Sequence, residues 1–212
     1  MNFDTGAILV LSGPSGSGKS SLINMVKDEI GPYYFSVSTT TRQMREGEKE
    51  GIDYHFVSEE EFKADIEAEE FLEYAKVHGN YYGTSLKPVK KALEERKLVL
   101  FDIDVQGHTT VRSRLGDITT SVFITTPTLS ELEGRLTSRA TDSQEIIENR
   151  IKMAKREIQR VSEFDFLLIN DDLDRAAKHF IRIAKAARMK IPTLQVSEFV
   201  RKWEEDVISF SC

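Results

Sequence analysis

Apolar positions follow two different periods along this chain, and the switches between them mark its elements. Short apolar runs at 7–12, 98–103, 121–125 and 165–169 read as strands, whereas apolar residues recur at helical spacing near 19–30, 85–97, 108–115 and 173–188. In the first helical stretch these are Leu22, Ile23, Val26 and Ile30. Strands alternating with helices predict βαβ units and a mostly parallel sheet covered on both faces, a doubly wound α/β fold. Leu98-Val99-Leu100-Phe101 and Phe166-Leu167-Leu168-Ile169 are apolar at every position, so both strands are expected to be buried on both sides.

Two more polar segments interrupt this alternation and are the expected moving parts. Segment 36–83 begins with the short strand-like pieces Phe35–Ser38 and Tyr54–Val57, continues into a helix opened by the capping-box pattern Ser58-Glu59-Glu60-Glu61, and ends in the turn-like Gly79-Asn80-Tyr81-Tyr82-Gly83. Segment 128–160 is helical: Leu129, Leu132 and Leu136 fall at core spacing, Ala140–Ser143 is a natural break, and Ile147, Ile151, Ala154 and Ile158 mark a second amphipathic helix. The reading is therefore one domain, with 1–35, 84–127 and 161–190 as core, 36–83 as an inserted segment, 128–160 as a helical lid and 191–212 as a helical extension. Beyond Pro192, Val196, Phe199, Val200, Trp203 and Val207 share one helical stripe, which is expected to face the core.

Composition narrows the partners. A net charge of -6 over 212 residues argues against a general binder of nucleic acid or membrane surfaces, so any anion site must be a local cluster of cations. The single cysteine, Cys212, excludes an internal disulfide and suits a reducing cytosol. Met1 to Thr5 carry no basic segment, and the first apolar run stops at Ser12-Gly13, too soon for a signal peptide or a membrane span. A cytoplasmic location is expected. Oligomeric state is left open, a homo-oligomer included.

The chemistry begins in Gly13-Pro14-Ser15-Gly16-Ser17-Gly18-Lys19-Ser20, which satisfies G-x-x-x-x-G-K-[ST] between a predicted strand and a predicted helix. Such a loop turns consecutive backbone N–H groups inward around phosphate oxygens, aided by the positive end of the following helix. Lys19 is placed to reach the β- and γ-phosphates and the Ser20 hydroxyl to hold magnesium. Arg135 and Arg139 are four apart on one predicted helix and Arg150 begins the basic side of the next, so three arginines can converge on a single anion. Each alone would equally be a solvated helix face. A second cluster, Arg42, Arg45 and Tyr54, can hold a different phosphate, and two anion sites imply transfer between two phosphorylated molecules. Asp102 and Asp104 end a strand, where open α/β sheets bind ligands; Asp102 is expected near the magnesium through water, in the manner of a Walker-B aspartate.

With these residues assembled, the chain resembles the guanylate kinases, to about residue 190. The likeness is carried by GPSGSGKSSL, SVSTTTRQMREGEKEGIDYHFV, FLEYA, GNYYGTS, FDIDVQG, RLTSRATDS and INDDLD. The resemblance implies Mg-dependent phosphoryl transfer from ATP to GMP, and to dGMP, in purine nucleotide metabolism. It implies that Ser38, Arg42, Arg45, Glu48, Tyr54, Glu73, Tyr82, Thr84 and Asp104 line the GMP site. The 13–20 loop with Ser21 would bind ATP, Asn170 would lie near its adenine, and Lys19, Arg42, Arg135, Arg139 and Arg150 would be catalytic. A carboxylate such as Glu73 can accept from the adjacent N1–H and N2 amino groups of guanine, whereas adenine would leave it unpaired. Met44 stands where the family commonly has proline and Ala140 where it has glycine; neither change removes a functional group. The alternatives are another nucleoside monophosphate kinase and a non-catalytic module of the same fold. The retained Lys19, Ser20, Arg42, Arg45 and lid arginines weigh against the latter.

Overall fold

The computed structural model describes residues 6–77, 79–138, 143–190 and 193–208. In chain order the elements are β1 (Ala7–Ser12), α1 (Lys19–Val26), β2 (Tyr33–Phe35), β3 (Thr39–Thr40), β4 (His55–Phe56), α2 (Glu59–Glu67), β5 (Phe71–Val77), β6 (Asn80–Ser85), α3 (Leu86–Glu94), β7 (Leu98–Asp102), α4 (Val105–Leu115), β8 (Thr119–Thr125), α5 (Leu129–Ser138), α6 (Gln144–Glu157), β9 (Phe166–Ile169), α7 (Leu173–Ala187) and α8 (Thr193–Ile208). Short 3₁₀ turns occupy Gly116–Ile118 and Ile158–Glu163.

The main sheet runs β2-β7-β1-β8-β9 with every pairing parallel, as the βαβ alternation requires. Strand periodicity divides its side chains between two cores. Leu9, Leu11, Leu98, Leu100, Val122 and Ile124 pack against Leu22 and Val26 of α1 and Phe180 and Ala184 of α7. Ile8, Val10, Val99 and Phe101 pack against Val89 and Ala92 of α3 and Val111 of α4. β1 and β7 are thus buried on both sides.

β9 departs from that expectation. Leu168 is buried, but Phe166, Leu167 and Ile169 are 40%, 54% and 39% exposed. β9 is an edge strand, so no neighbour covers its outer side.

Segment 36–83 forms its own small sheet, β4-β3-β6-β5. The capping box forms, with the Ser58 hydroxyl accepting from the Glu61 N–H and the Glu61 carboxylate from the Ser58 N–H. It seats α2 so that Phe62, fully buried, stacks on Phe71 at 4.1 Å and Tyr81 at 5.2 Å. The expected turn at 79–83 is mostly strand. Tyr81 and Tyr82 pair with Lys76 and Ala75, because aromatic residues favour a half-buried pleated surface, and the glycine turn narrows to Gly79 with φ 88. The lid helices α5 and α6 share a core of Leu132, Leu136, Ile147 and Ala154, and Ser143 caps α6. The rest of the expected break, Ala140 to Asp142, lies outside the described residues.

The tail also departs from the sequence reading. The stripe expected to face the core is exposed: Val196 42%, Phe199 41%, Val200 43% and Trp203 63%. α7 supplies the helical residues of the core cluster at the C-terminal end of the chain, and no described residue of α8 joins it. Val207 lies outside the described side chains.

Two measurements follow from the packing. Phe62→Ala should cost about 3–5 kcal/mol in urea unfolding, by opening a cavity between α2 and the small sheet. Truncation after Lys190 should move Tm by less than about 4 °C, since no described side chain of α8 is buried.

Candidate active site

β1 ends in the middle of the sheet and α1 begins at Lys19, so residues 13–18 cross the carboxyl edge of the strands. Gly13 and Gly18 have φ of 135 and 92. A Cβ would lie 2.0 Å from the Ile124 carbonyl oxygen at Gly13 and 2.3 Å from Asn170 Nδ2 at Gly18, so side chains are excluded at both. The Ser17 N–H donates to the Pro14 carbonyl at 3.1 Å, closing the loop on itself.

The Lys19 ammonium donates to the Gly13 carbonyl at 2.6 Å and lies 3.9 Å from Asp102 Oδ1. Burial pushes the Asp102 carboxyl above its ordinary range, opposed by the Lys19 charge. Among the described residues no group of three His, Cys, Asp or Glu side chains gathers to hold a metal. The Ser20 hydroxyl and the Asp102 carboxylate are oxygen donors of the kind a magnesium ion takes alongside waters and phosphate.

Asn170 ties this loop to the lid. It is 3% exposed, donates from its side-chain amide to the Ser17 carbonyl at 2.8 Å, and accepts at its own carbonyl from Arg135 Nη2 at 2.7 Å. Arg150, on α6, donates to Ser15 Oγ at 3.1 Å. The two lid helices thus each bring an arginine to the loop. Gly16, Gly18, Ser21, Arg135 and Asn170 line an open cavity of about 380 Å³. Arg139 lies outside the described residues.

The second cluster forms on the small sheet. Glu73 lies opposite Thr84 in the β5–β6 ladder, and Ser38, Glu73, Tyr82 and Thr84 line a cavity of about 250 Å³. Arg42 lies 5.4 Å from the centroid of the Tyr54 ring, which makes an edge contact with Tyr82 at 6.0 Å. Glu48 is engaged within the loop, accepting from Arg42 Nη2 at 2.7 Å and from the Arg45 N–H at 2.8 Å. Those bonds, Arg42 first, hold its carboxyl below the ordinary range. In this state Glu48 buttresses the arginines. Asp104 likewise caps α4, its Oδ1 accepting from the Gln106 and Gly107 N–H groups at 2.9 and 2.8 Å.

One group escaped the sequence reading. Glu157 is the last residue of α6, and its Oε2 is buried without a hydrogen-bond partner among the described residues. Burial pushes its carboxyl up, Lys19 opposes that and Asp104 adds to it. The available signal was its spacing, seven residues after Arg150 and hence on the same helix face.

Comparison with known proteins gives the family. Residues 5–187 match the family model described as guanylate kinase. A guanylate kinase of Sulfurimonas denitrificans is 68% identical over 205 residues, 97% of this chain and 100% of that protein. One of Wolinella succinogenes is 53% identical, over 96% of this chain and 95% of its own. The crystal structure of guanylate kinase from Anaplasma phagocytophilum superposes with a TM-score of 0.63 at 33% identity, covering 88% of each chain. The Gly13–Ser20 loop, with Arg150 on Ser15 and Arg135 on the neighbouring Asn170, and the separate pocket that Glu73 lines are thus set in a chain whose likeness runs nearly end to end, and the chain belongs to the guanylate kinase family.

Proposed function

We propose that this protein is an ATP:GMP phosphotransferase, converting GMP, and dGMP, to the diphosphate at the expense of ATP. The observation that carries the reading is the separation of two built sites: the Gly13–Ser20 loop with Arg135 and Arg150, and the Glu73 pocket beside Arg42 and Tyr54.

The loop residues Gly13, Pro14, Ser15, Gly16, Ser17 and Gly18, with Lys19, Ser20 and Ser21, cradle the ATP phosphates, and Asn170 lies beside the adenine. Ser20, and Asp102 through water, would hold the magnesium, which neutralises phosphate charge when bound. Lys19 must leave the Gly13 carbonyl to reach the phosphates, and Arg135, Arg139 and Arg150 spread donors over the transferring group. On the acceptor side Glu73 accepts from guanine N1–H and N2, and Ser38 and Thr84 approach O6. Arg42, Arg45, Tyr54 and Tyr82 hold the monophosphate, with Glu48 and Asp104 ordering the groups around it. The GMP phosphate is already an anionic nucleophile at neutral pH, so alignment and charge neutralisation supply the catalysis and no general base is required.

Segments 36–83 and 128–160 act as the moving parts that close over the nucleotides and keep water from the transfer. The reaction belongs to the cytoplasm. Among the described residues no helix is long and apolar enough to cross a membrane.

Coupled assays with GMP, AMP, UMP and TMP at saturating ATP test the assignment. Turnover should be confined to GMP and dGMP, and equal turnover of AMP would overturn it. Glu73→Gln should lower kcat/KM for GMP by about 10²-fold or more, because the guanine donors lose a charged acceptor. Lys19→Met should abolish turnover while GMP binding, followed by calorimetry, stays within about three-fold of wild type.

A further inference from the structure

The reaction leaves Glu157 unused. This residue lies seven positions after Arg150 on α6, about 10 Å further along the helix and turned only slightly from it. Arg150 reaches Ser15, and Ala154, between Arg150 and Glu157 in the helix, lines a cavity together with Pro14 of the loop, so this face of α6 lies beside the phosphate loop. Arg150 stands over the front of that loop, and Glu157 is close enough to Lys19 and Asp104 to feel both charges.

A buried carboxylate oxygen without a donor is costly, and native structures rarely leave one unless a ligand completes it. Lys19 does not complete it: the ammonium is bonded to the Gly13 carbonyl and faces Asp102 at 3.9 Å. In the loaded state Lys19 belongs to the phosphates. Asp104 is already engaged by the Gln106 and Gly107 N–H groups, so among these carboxylates it is the Glu157 oxygen that keeps no donor.

We infer that Glu157 is a positioning residue for the metal–nucleotide complex, its carboxylate accepting a hydrogen bond from a water of the magnesium shell as the lid helix lies over the loop. Groups of this kind orient hydrated ions without touching them. The inference rests on the assignment of the metal to Ser20 and Asp102.

Calorimetric titration of ATP into the full-length protein, with excess magnesium and with EDTA, separates these ideas. In the wild type magnesium should tighten ATP binding. In Glu157→Gln that metal-dependent gain should shrink by about ten-fold or more, while ATP in EDTA binds as well or more tightly because a negative charge is gone. GMP binding and Tm should be unchanged. Glu157→Ala should show the same metal-specific loss, which guards against a folding defect peculiar to one variant. An undiminished gain in the variants, or an equal loss with and without magnesium, overturns the role of Glu157 and leaves the metal assignment standing. No gain from magnesium in the wild type overturns the metal assignment and this inference together.

Discussion

The bond from the buried Asn170 amide to the Ser17 carbonyl joins three parts of the chain that are distant in sequence. Asn170 follows the edge strand β9, Ser17 belongs to the loop after the central strand β1, and the Asn170 carbonyl receives Arg135 from the lid. A buried amide must satisfy its donors and acceptor or carry a penalty, so this side chain has little freedom to move. Gly18 is then confined beneath it, since a Cβ there would collide with the amide at 2.3 Å. The backbone N–H groups of the loop are therefore aimed by packing, and the strand order of the sheet decides where Arg135 can anchor.

The electrostatics follow from the same placement. A chain with net charge -6 must gather its cations locally to hold nucleotides. It does so from separate elements: Lys19 from α1, Arg135 from α5, Arg150 from α6 and Arg42 from the loop after β3. Arg42 is held ready by Glu48, and the pairing lowers the Glu48 pKa and raises that of Arg42. Both groups thus stay charged across the physiological range. A guanidinium fixed by a carboxylate and an aromatic ring loses less rotamer entropy when a phosphate arrives.

The sequence made the frame legible where a local rule was strong. Continuous apolar runs marked β1 and β7, the glycine loop marked its own flanks, and Ser58–Glu61 marked the start of α2. It misled where neighbours decide. Phe166, Leu167 and Ile169 are as apolar as Leu98–Phe101, yet only strand order reveals that β9 has an open side. Tyr81 and Tyr82 looked like part of a turn because Gly79 and Gly83 flank them, and only pairing with Lys76 and Ala75 makes them strand. The stripe on α8 carried the period of a core helix without a core to meet. In the site, residue type and spacing pointed to the arginines and only the family resemblance pointed to Glu73, whereas the capping role of Asp104 and the buried Oε2 of Glu157 depend on helix placement.

Helix α6 is bound to α5 through a shared core, Leu132 and Leu136 from α5 and Ile147 and Ala154 from α6, which fixes Arg135 and Arg150 relative to each other. Both arginines already reach the loop, through Asn170 and Ser15, so phosphate oxygens must replace those contacts rather than recruit free side chains. Exchange of one hydrogen-bonded partner for a charged one favours the loaded state without first desolvating the guanidinium. Among the described residues Glu157, the last of α6, has a buried carboxylate oxygen with no partner to exchange. On the role inferred for it, an anion there would disfavour bare phosphates and favour them once a divalent cation is present, so that the charge balance of the site would depend on whether the nucleotide carries its metal.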